Sequence, residues 1–452
     1  MSAPHRNALI LLLAGALGGC AAFGMNERPE PLVGGAPAYH AQGANAALNA
    51  DIWYHNFNDP VLNGLIEQAL SENLTLHQAL ARFEAARART DSSRAARLPA
   101  IGVSGDAGKI WEEGDAQDTT ARFGATLEWE ADIFGRLAAA EKADRLQAVA
   151  AASDLEAVRL SLAADIAAAY YNAVAAHRTL ALLEAQGKTD GEALSLIELR
   201  NREGIGTQVE VLQQQTQLAA SQSLIPVAQA TLRAHENRLD VLTGTMPDGR
   251  DATTRTSSFP AELLSPPTGI PSDLLLNRPD LRAARARLIA ADANIAAAIA
   301  ERLPRVTLSG SYLLATGGNP ASPVLSLLGG LVQPLLDWGR REAEVRRNKA
   351  LYDEQLAAFS QLYLEAVEDV ETTLYQIDRQ KEYLARLRQR ETLIKRTLAQ
   401  TRAVFDNGMS DYLPVLSALQ DLRAVERTVL EEERDLALLH VQLYRALGGA
   451  MP

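Results

Sequence analysis

The chain has 452 residues, 47% of them apolar and only 5% aromatic, with a formal charge of −12. An acidic balance of this size excludes nucleic acid as a partner, because phosphate binding requires an excess of Lys and Arg. A single cysteine excludes an internal disulfide, so its position carries the information.

That cysteine is Cys20, at the end of MSAPHRNALILLLAGALGGC. His5 and Arg6 precede an apolar run from Ala8 to Leu17, which suits a signal peptide over residues 1–19 and is short for a spanning helix. Leu17-Gly18-Gly19-Cys20 resembles a bacterial lipobox, which implies cleavage before Cys20 and a covalent lipid on it. The alternative is an ordinary signal peptide with an incidental cysteine. In a lipoprotein, Ala21 after the cysteine implies the outer membrane. Residues 20–52, rich in Ala, Gly and Pro up to about Asn49, read as an extended, lipidated arm.

The folded part begins at WYHNFNDPVL, which leads into a predicted helix from about Val61 to Arg97, stopped by Pro99. A hairpin follows at about 100–133, its first strand about Ala100–Lys109 and its loop EEGDAQD. In ARFGATLEWEADI the residues Phe123, Ala125, Leu127, Trp129 and Ile133 alternate with Arg122, Thr126, Glu128, Glu130 and Asp132. A strand with one apolar and one charged face suits a transmembrane barrel, although a soluble sandwich shares the pattern. Glu128, Glu130 and Asp132 are accordingly expected to face a water-filled lumen, with solvated rim charges as the alternative.

A long helix is predicted from about Arg136 to Arg202, with an alanine-rich seam (Ala163, Ala167, Ala168, Ala169, Ala173), and the chain reverses after Gly204 into a return helix at about Val209–Leu242. The Pro-rich stretch 245–272 cannot continue a helix and reads as a connector. Beyond it come a hairpin at about 305–336, looped by TGGNPAS, and a helix from about Arg340 to Phe405. That helix carries a seven-residue register through Leu356, Tyr363, Val370, Ile377, Leu384 and Leu398, broken only at Glu391, with Phe359, Leu374, Leu387 and Ile394 on the neighbouring seam, which predicts coiled-coil packing over about 100 Å. After Gly408 a return helix is predicted at about Leu413–Leu447, and residues 449–452 are a tail.

The two halves are copies. Gly339 falls on Gly135, Arg340 on Arg136, Gly408 on Gly204 and Gly448 on Gly244 at an offset of 204, while Arg302-Leu303-Pro304 falls on Arg97-Leu98-Pro99 at 205. The repeats therefore run over 53–244 and 273–448. The second strand of the second hairpin alternates poorly, and its assignment rests on this repeat. Four strands cannot close a barrel, and open edges in lipid leave backbone groups without partners. The chain must oligomerise, and three copies giving twelve strands is the smallest reasonable answer above two.

With these features in place the chain resembles the TolC-like outer membrane efflux proteins, specifically the lipoprotein branch serving resistance-nodulation-division multidrug pumps. The residues that carry the resemblance are Trp53 with Phe57-Asn58-Asp59-Pro60, the string Gly269-Ile270-Pro271-Ser272-Asp273-Leu274-Leu275 with Arg278-Pro279-Asp280, and Asp337-Trp338-Gly339-Arg340. The resemblance implies a mainly α fold with a pair of β-hairpins per subunit. A long helical coiled-coil barrel would join a transmembrane β-barrel of twelve strands, completed by trimerisation. It further implies location in the outer membrane of a Gram-negative bacterium, in contact with its lipid and extending into the periplasm. The function implied is the exit duct of a tripartite efflux pump for drugs or other small toxic molecules, and the duct of a type I protein secretion system is the alternative. Implied partners are a homotrimer, a periplasmic adaptor (membrane fusion) protein and an inner membrane resistance-nodulation-division transporter. The tips meeting the adaptor would be Gly204, Ile205 and Gly206 in the first repeat and Gly408, Met409 and Ser410 in the second.

In this family the periplasmic mouth is sealed by inward acids and by links from an aromatic hydroxyl to a carboxylate. Here the matching acid is Glu210, but the matching aromatic is Phe405, which has no hydroxyl, and positions that often carry acids read Pro414 and Ser417. Leu413 remains as a candidate for an apolar ring, or packs between helices of its own subunit. Enzyme chemistry finds no support: His235-Glu236 lacks a second His, Gly204-Ile205-Gly206 lacks a third glycine, and seven scattered histidines show no metal-ligand spacing. Neither a metal nor a cofactor beyond the Cys20 lipid is expected. A purely structural stalk would have no use for strands with an apolar face.

Overall fold

The computed structural model describes residues 29–34, 38–39, 52–110, 118–249, 259–260, 266, 269, 271–316 and 323–449. Cys20, both hairpin loops and most of the connector lie outside these residues. The elements alternate as the repeat requires: α1 (Pro60–Glu72), α2 (Leu74–Ala95), β1 (Ala100–Ile110), β2 (Asp118–Ala131), α3 (Arg136–Arg202) and α4 (Gln208–Leu242), then α5 (Leu274–Asn277), α6 (Pro279–Ala300), β3 (Arg305–Thr316), β4 (Val324–Val332), α7 (Arg340–Asp406) and α8 (Leu413–Ala446). Among the described residues no helix is long and apolar enough to cross a membrane. Contacts divide the chain into two compact units, each drawing on both repeats.

The first unit comprises Ala79–Leu155 and Asp280–Leu362 with the described part of Met1–Gly34. Its four strands form one antiparallel sheet in the order β1-β2-β3-β4. Side chains alternate across a strand, so the register sorts them onto two faces. One row runs Ile101, Leu127, Gly310, Leu327, and the row beside it Val103, Ala125, Tyr312, Leu325. The opposite face carries Gly102, Thr126, Ser311 and Ser326, with the last two hydroxyls 2.6 Å apart. The arm meets this unit where the Leu32 amide donates to Ser360 Oγ at 2.9 Å.

The second unit comprises Glu156–Pro279, Tyr363–Pro452 and Gly35–Gln78, of which only the described residues are meant. Its core is the seam read from the heptads: Tyr363, Val370, Leu374, Ile377, Leu384 and Leu387 of α7 are all buried, as are Ala163, Ala167 and Ala173 of α3. The motif at 53–60 earns its residues locally. Asn58 takes the left-handed conformation (φ +51°), and Asp59 caps α1 by accepting from the Val61 and Leu62 amides at 3.0 and 3.2 Å. Pro60 occupies the first turn, where no amide donor is missed. The other Asp59 oxygen accepts from Tyr170 at 2.6 Å, and Trp53 stacks on Tyr444 at 5.4 Å.

Two elements depart from expectation by several residues. The helix expected from Val61 to Arg97 is two helices broken at Asn73, whose extended backbone (ψ 125°) ends α1. The Asn73 carboxamide oxygen accepts from the Thr75 and Leu76 amides to start α2, while its Nδ2 donates to the Leu242 carbonyl at 2.8 Å. The last strand, expected to reach Leu336, ends at Val332 because β3 offers no partner beyond Arg305. The repeat survives in detail: Arg278 Nη1 donates to the Ala446 carbonyl at 3.3 Å, at the place where Asn73 meets Leu242. Beside each contact stands a glycine in the left-handed region, Gly244 against the Glu72 carbonyl and Gly448 against that of Asn277, where an added Cβ would come within 2.7 Å.

Candidate functional site

The chain presents two constructions where its elements change direction: strand-to-helix corners in the first unit and helix tips in the second. At the first corner Gly135 turns the chain at φ +74°, and Asp132 accepts from the Leu137 and Ala138 amides at 3.0 and 2.7 Å. This satisfies two of the donors left open at the start of α3. Glu130 takes the Arg136 fork, at 3.1 Å from Nε and 2.8 Å from Nη2. The acids expected to face a lumen therefore separate: Asp132 lies beyond the end of β2 as a helix cap, and Glu130 is committed to Arg136. Glu128 shares the Thr126 face of the strand by alternation and is exposed. At the second corner Asp337 accepts from the Gly339 and Arg341 amides at 3.2 and 3.3 Å and from Arg341 Nη1 at 2.9 Å.

At the first tip Gly204 adopts φ +71°, and the Ile205 and Gly206 amides donate to the Arg200 carbonyl at 2.9 and 3.1 Å. Thr207 and Glu210 form a reciprocal capping box, the Thr207 amide donating to Glu210 Oε2 at 2.9 Å and the Glu210 amide to Thr207 Oγ1 at 3.3 Å. At the second tip Gly408 adopts φ +69°, its amide donates to the Phe405 carbonyl, and that of Met409 to the Val404 carbonyl at 3.1 Å. Ser410 Oγ donates to the Asp411 carbonyl at 3.2 Å. Ile205 and Met409 project, 70% and 71% exposed.

Behind the tips the residues expected at a gate divide. Phe405 is a core residue: it packs with Ile197, Val211, Val415 and Leu416, lies 5.3 Å from the Tyr412 ring, and is covered by the Arg200 guanidinium at 4.4 Å. Without a hydroxyl it contributes burial and its ring face, and in the single chain it lies in the core behind the second tip. Glu210 is occupied by its capping box. Leu413 and Ser417, one turn apart on α8, are exposed in the single chain.

The aromatic hydroxyl sits elsewhere. Tyr412 donates to Gln214 Oε1 at 2.6 Å, and burial pushes its hydroxyl pKa up, keeping it a donor. Gln214 Nε2 in turn donates to the Asp190 carbonyl at 3.1 Å. Asp190 accepts from Ser221 Oγ at 2.7 Å and from both Nη atoms of Arg423, a fork between two nearly inaccessible side chains. Gln420 reaches Gln217 at 3.0 Å one turn away. A ladder of polar contacts thus ties α3 and α4 of the first repeat to α8 of the second. No motif in the sequence marks this ladder. Its one signal was a charged residue on each of two apolar seams, Asp190 between Leu183 and Ile197, and Arg423 between Leu416 and Leu430. Among the described residues no group of three His, Cys, Asp or Glu side chains could hold a metal ion.

A family model described as outer membrane efflux protein matches residues 65–245 and 270–449. The chain is similar to the pyoverdine export outer membrane protein OpmQ of Pseudomonas putida, with 31% identity and 93% of each chain covered. It is similar also to the cation efflux system protein CusC of Escherichia coli O157:H7, at 28% identity over 96% of each. Among solved structures, the outer-membrane channel OprN superposes with a TM-score of 0.83 at 28% identity, over 93% of this chain and 99% of that one.

Proposed function

The chain belongs to the outer membrane efflux protein family, and we infer from that premise that it is the exit duct of a tripartite efflux pump in the outer membrane of a Gram-negative bacterium. The observation that carries the inference is the sheet. One face is an apolar row exposed in the single chain, with Ile101 at 75% and Leu327 at 70%, and the other carries the hydroxyls of Thr126, Ser311 and Ser326. Such a sheet suits lipid on one side and water on the other, and copies of the chain would complete the barrel.

Passage is passive within this chain, and the energy and the choice of cargo belong to the other members of the pump. Relatives named for pyoverdine export and for cation efflux support a duct that selects little by itself. The tips serve as the seat of a periplasmic adaptor protein, which engages a resistance-nodulation-division transporter of the inner membrane. Leu413 supplies a ring of apolar side chains at the closed mouth, since a dry constriction opposes the entry of ions. Cys20 carries the lipid that anchors the arm.

The tips provide the test. A side chain at Gly206 would come within 3.0 Å of Glu210 Oε2 and disturb the capping box, so it probes folding as well as docking. Ile205→Glu and Met409→Glu alter only projecting side chains. In a strain lacking its own duct, each is expected to reduce drug resistance and adaptor crosslinking while protein level and oligomer content match the parent. Full resistance with both substitutions combined would refute the tips as the adaptor seat.

A further inference from the structure

The sheet of one chain ends at two edges, β1 and β4, that no strand among the described residues covers. We propose the register in which copies join: β4 of one copy runs antiparallel to β1 of the next, with Val332 opposite Ser104, Leu331 opposite Gly105 and Gly330 opposite Asp106. The proposal rests on the barrel reading above and adds the residue pairing that closes it.

Internal symmetry supplies the first argument. The first hairpin is headed by the pair Ala100 and Glu128 and the second by Arg305 and Val332, so β1 maps onto β3 at an offset of 205 and β2 onto β4 at 204. Within the chain the two hairpins meet through β2 and β3. In a closed ring of equivalent hairpins the next junction is β4 to β1, and equivalent junctions take equivalent registers. Carried across by those offsets, Glu128 opposite Ser309 becomes Val332 opposite Ser104. Likewise Leu127 opposite Gly310 becomes Leu331 opposite Gly105, and Thr126 opposite Ser311 becomes Gly330 opposite Asp106.

The pleat supplies an independent check. Leu331 shares a face with Leu327, and Gly105 shares one with Ile101, and Leu327 and Ile101 stand in one apolar row. The proposed pairing keeps that face continuous across the junction. A slip of one residue would set Leu331 against Ser104 or Asp106 and join the apolar face to the hydroxyl face. Slips of two keep the faces but place Ile101 opposite Gln333 or Asp337, and Asp337 is already engaged at the corner. In the proposed register Ile101 meets Leu335, and the two are 75% and 92% exposed in the single chain. The residues after Val332, expected as strand from the sequence but unpaired here, gain their partner from the neighbouring copy.

Disulfide trapping in isolated outer membranes tests the register, with the parent, whose one cysteine is Cys20, as the control. Directly opposed strand residues lie within disulfide range, whereas pairs displaced by two residues are about 7–8 Å apart. Val332→Cys with Ser104→Cys, or the adjacent Leu331→Cys with Gly105→Cys, is expected to link chains into dimers and trimers on a non-reducing gel. Val332→Cys with Gly102→Cys or with Asp106→Cys should link several-fold less. A displaced pair that links best overturns the register and leaves the barrel reading intact. If no pair links while an amine-reactive crosslinker still captures oligomers, the register is likewise wrong. If that crosslinker captures none either, closure by copies fails too.

Discussion

Replacing Asp190 by Ala would leave the Arg423 guanidinium, whose side chain is 5% exposed, without its counter-charge. Ser221 Oγ would lose its acceptor in the same step. Taking one partner from a buried ion pair costs about 3–5 kcal/mol, because the remaining charge is still cut off from water. At about 2–4 °C per kcal/mol for a unit of this size, the melting temperature followed by circular dichroism in detergent should fall by roughly 6–20 °C. Asp190→Leu combined with Arg423→Met removes both charges and fills the space, and such replacements are neutral or stabilising. The double variant is therefore expected to melt near the parent, and in the cycle completed by the single variants Asp190→Leu and Arg423→Met the coupling energy should be at least about 3 kcal/mol. The reasoning is refuted if Asp190→Ala costs under about 1 kcal/mol, as an exposed pair would, or if the two single effects simply add.

Leu413→Ala should raise resting conductance in planar bilayers and sensitise cells to large antibiotics more than Ser417→Ala or Glu210→Gln does. A parent-like conductance in Leu413→Ala, with an open channel in Glu210→Gln, would make the seal polar instead. Cys20→Ser is expected to abolish labelling with radioactive palmitate, and persistent labelling would remove the lipid from that residue.

Most of the helical scaffold was legible because its punctuation is local. The predicted start and end of α3 coincide with the observed ones, and α7 ends one residue beyond the prediction, since Gly204 and Gly408 reverse the chain whatever lies around them. Asn73 was not legible: the apolar spacing of Ile66 and Ala69 continues into Leu76 and Ala79, and the break depends on a carbonyl of Leu242, far along the chain. Asp190 and Arg423 each look like a flaw in an apolar seam, and only the fold brings two flaws into one buried pair. Phe405, matched to the gate by family position, packs in the core cluster behind the second tip, and the buried aromatic hydroxyl nearby belongs to Tyr412, which donates to Gln214.

These misses share a cause that the repeat makes visible. At equivalent places Asn73 and Arg278 donate to the carbonyls of Leu242 and Ala446, an amide in one copy and a guanidinium in the other. What the two halves hold in common is the requirement that a short helix and a return helix be tied end to end. The glycine beside each tie is the same residue type because a Cβ there would collide with a carbonyl. The donor is free to differ because a short carboxamide and a long guanidinium both reach the carbonyl. A sequence read against its own repeat therefore locates a junction wherever sterics permit only glycine. It cannot name the side chains that close the junction, since hydrogen bonding to a carbonyl accepts many donors. The same asymmetry explains why the β4 to β1 register can be carried over from β2 and β3: a ladder depends on backbone spacing, which the two halves share, and not on side chains, in which they have diverged.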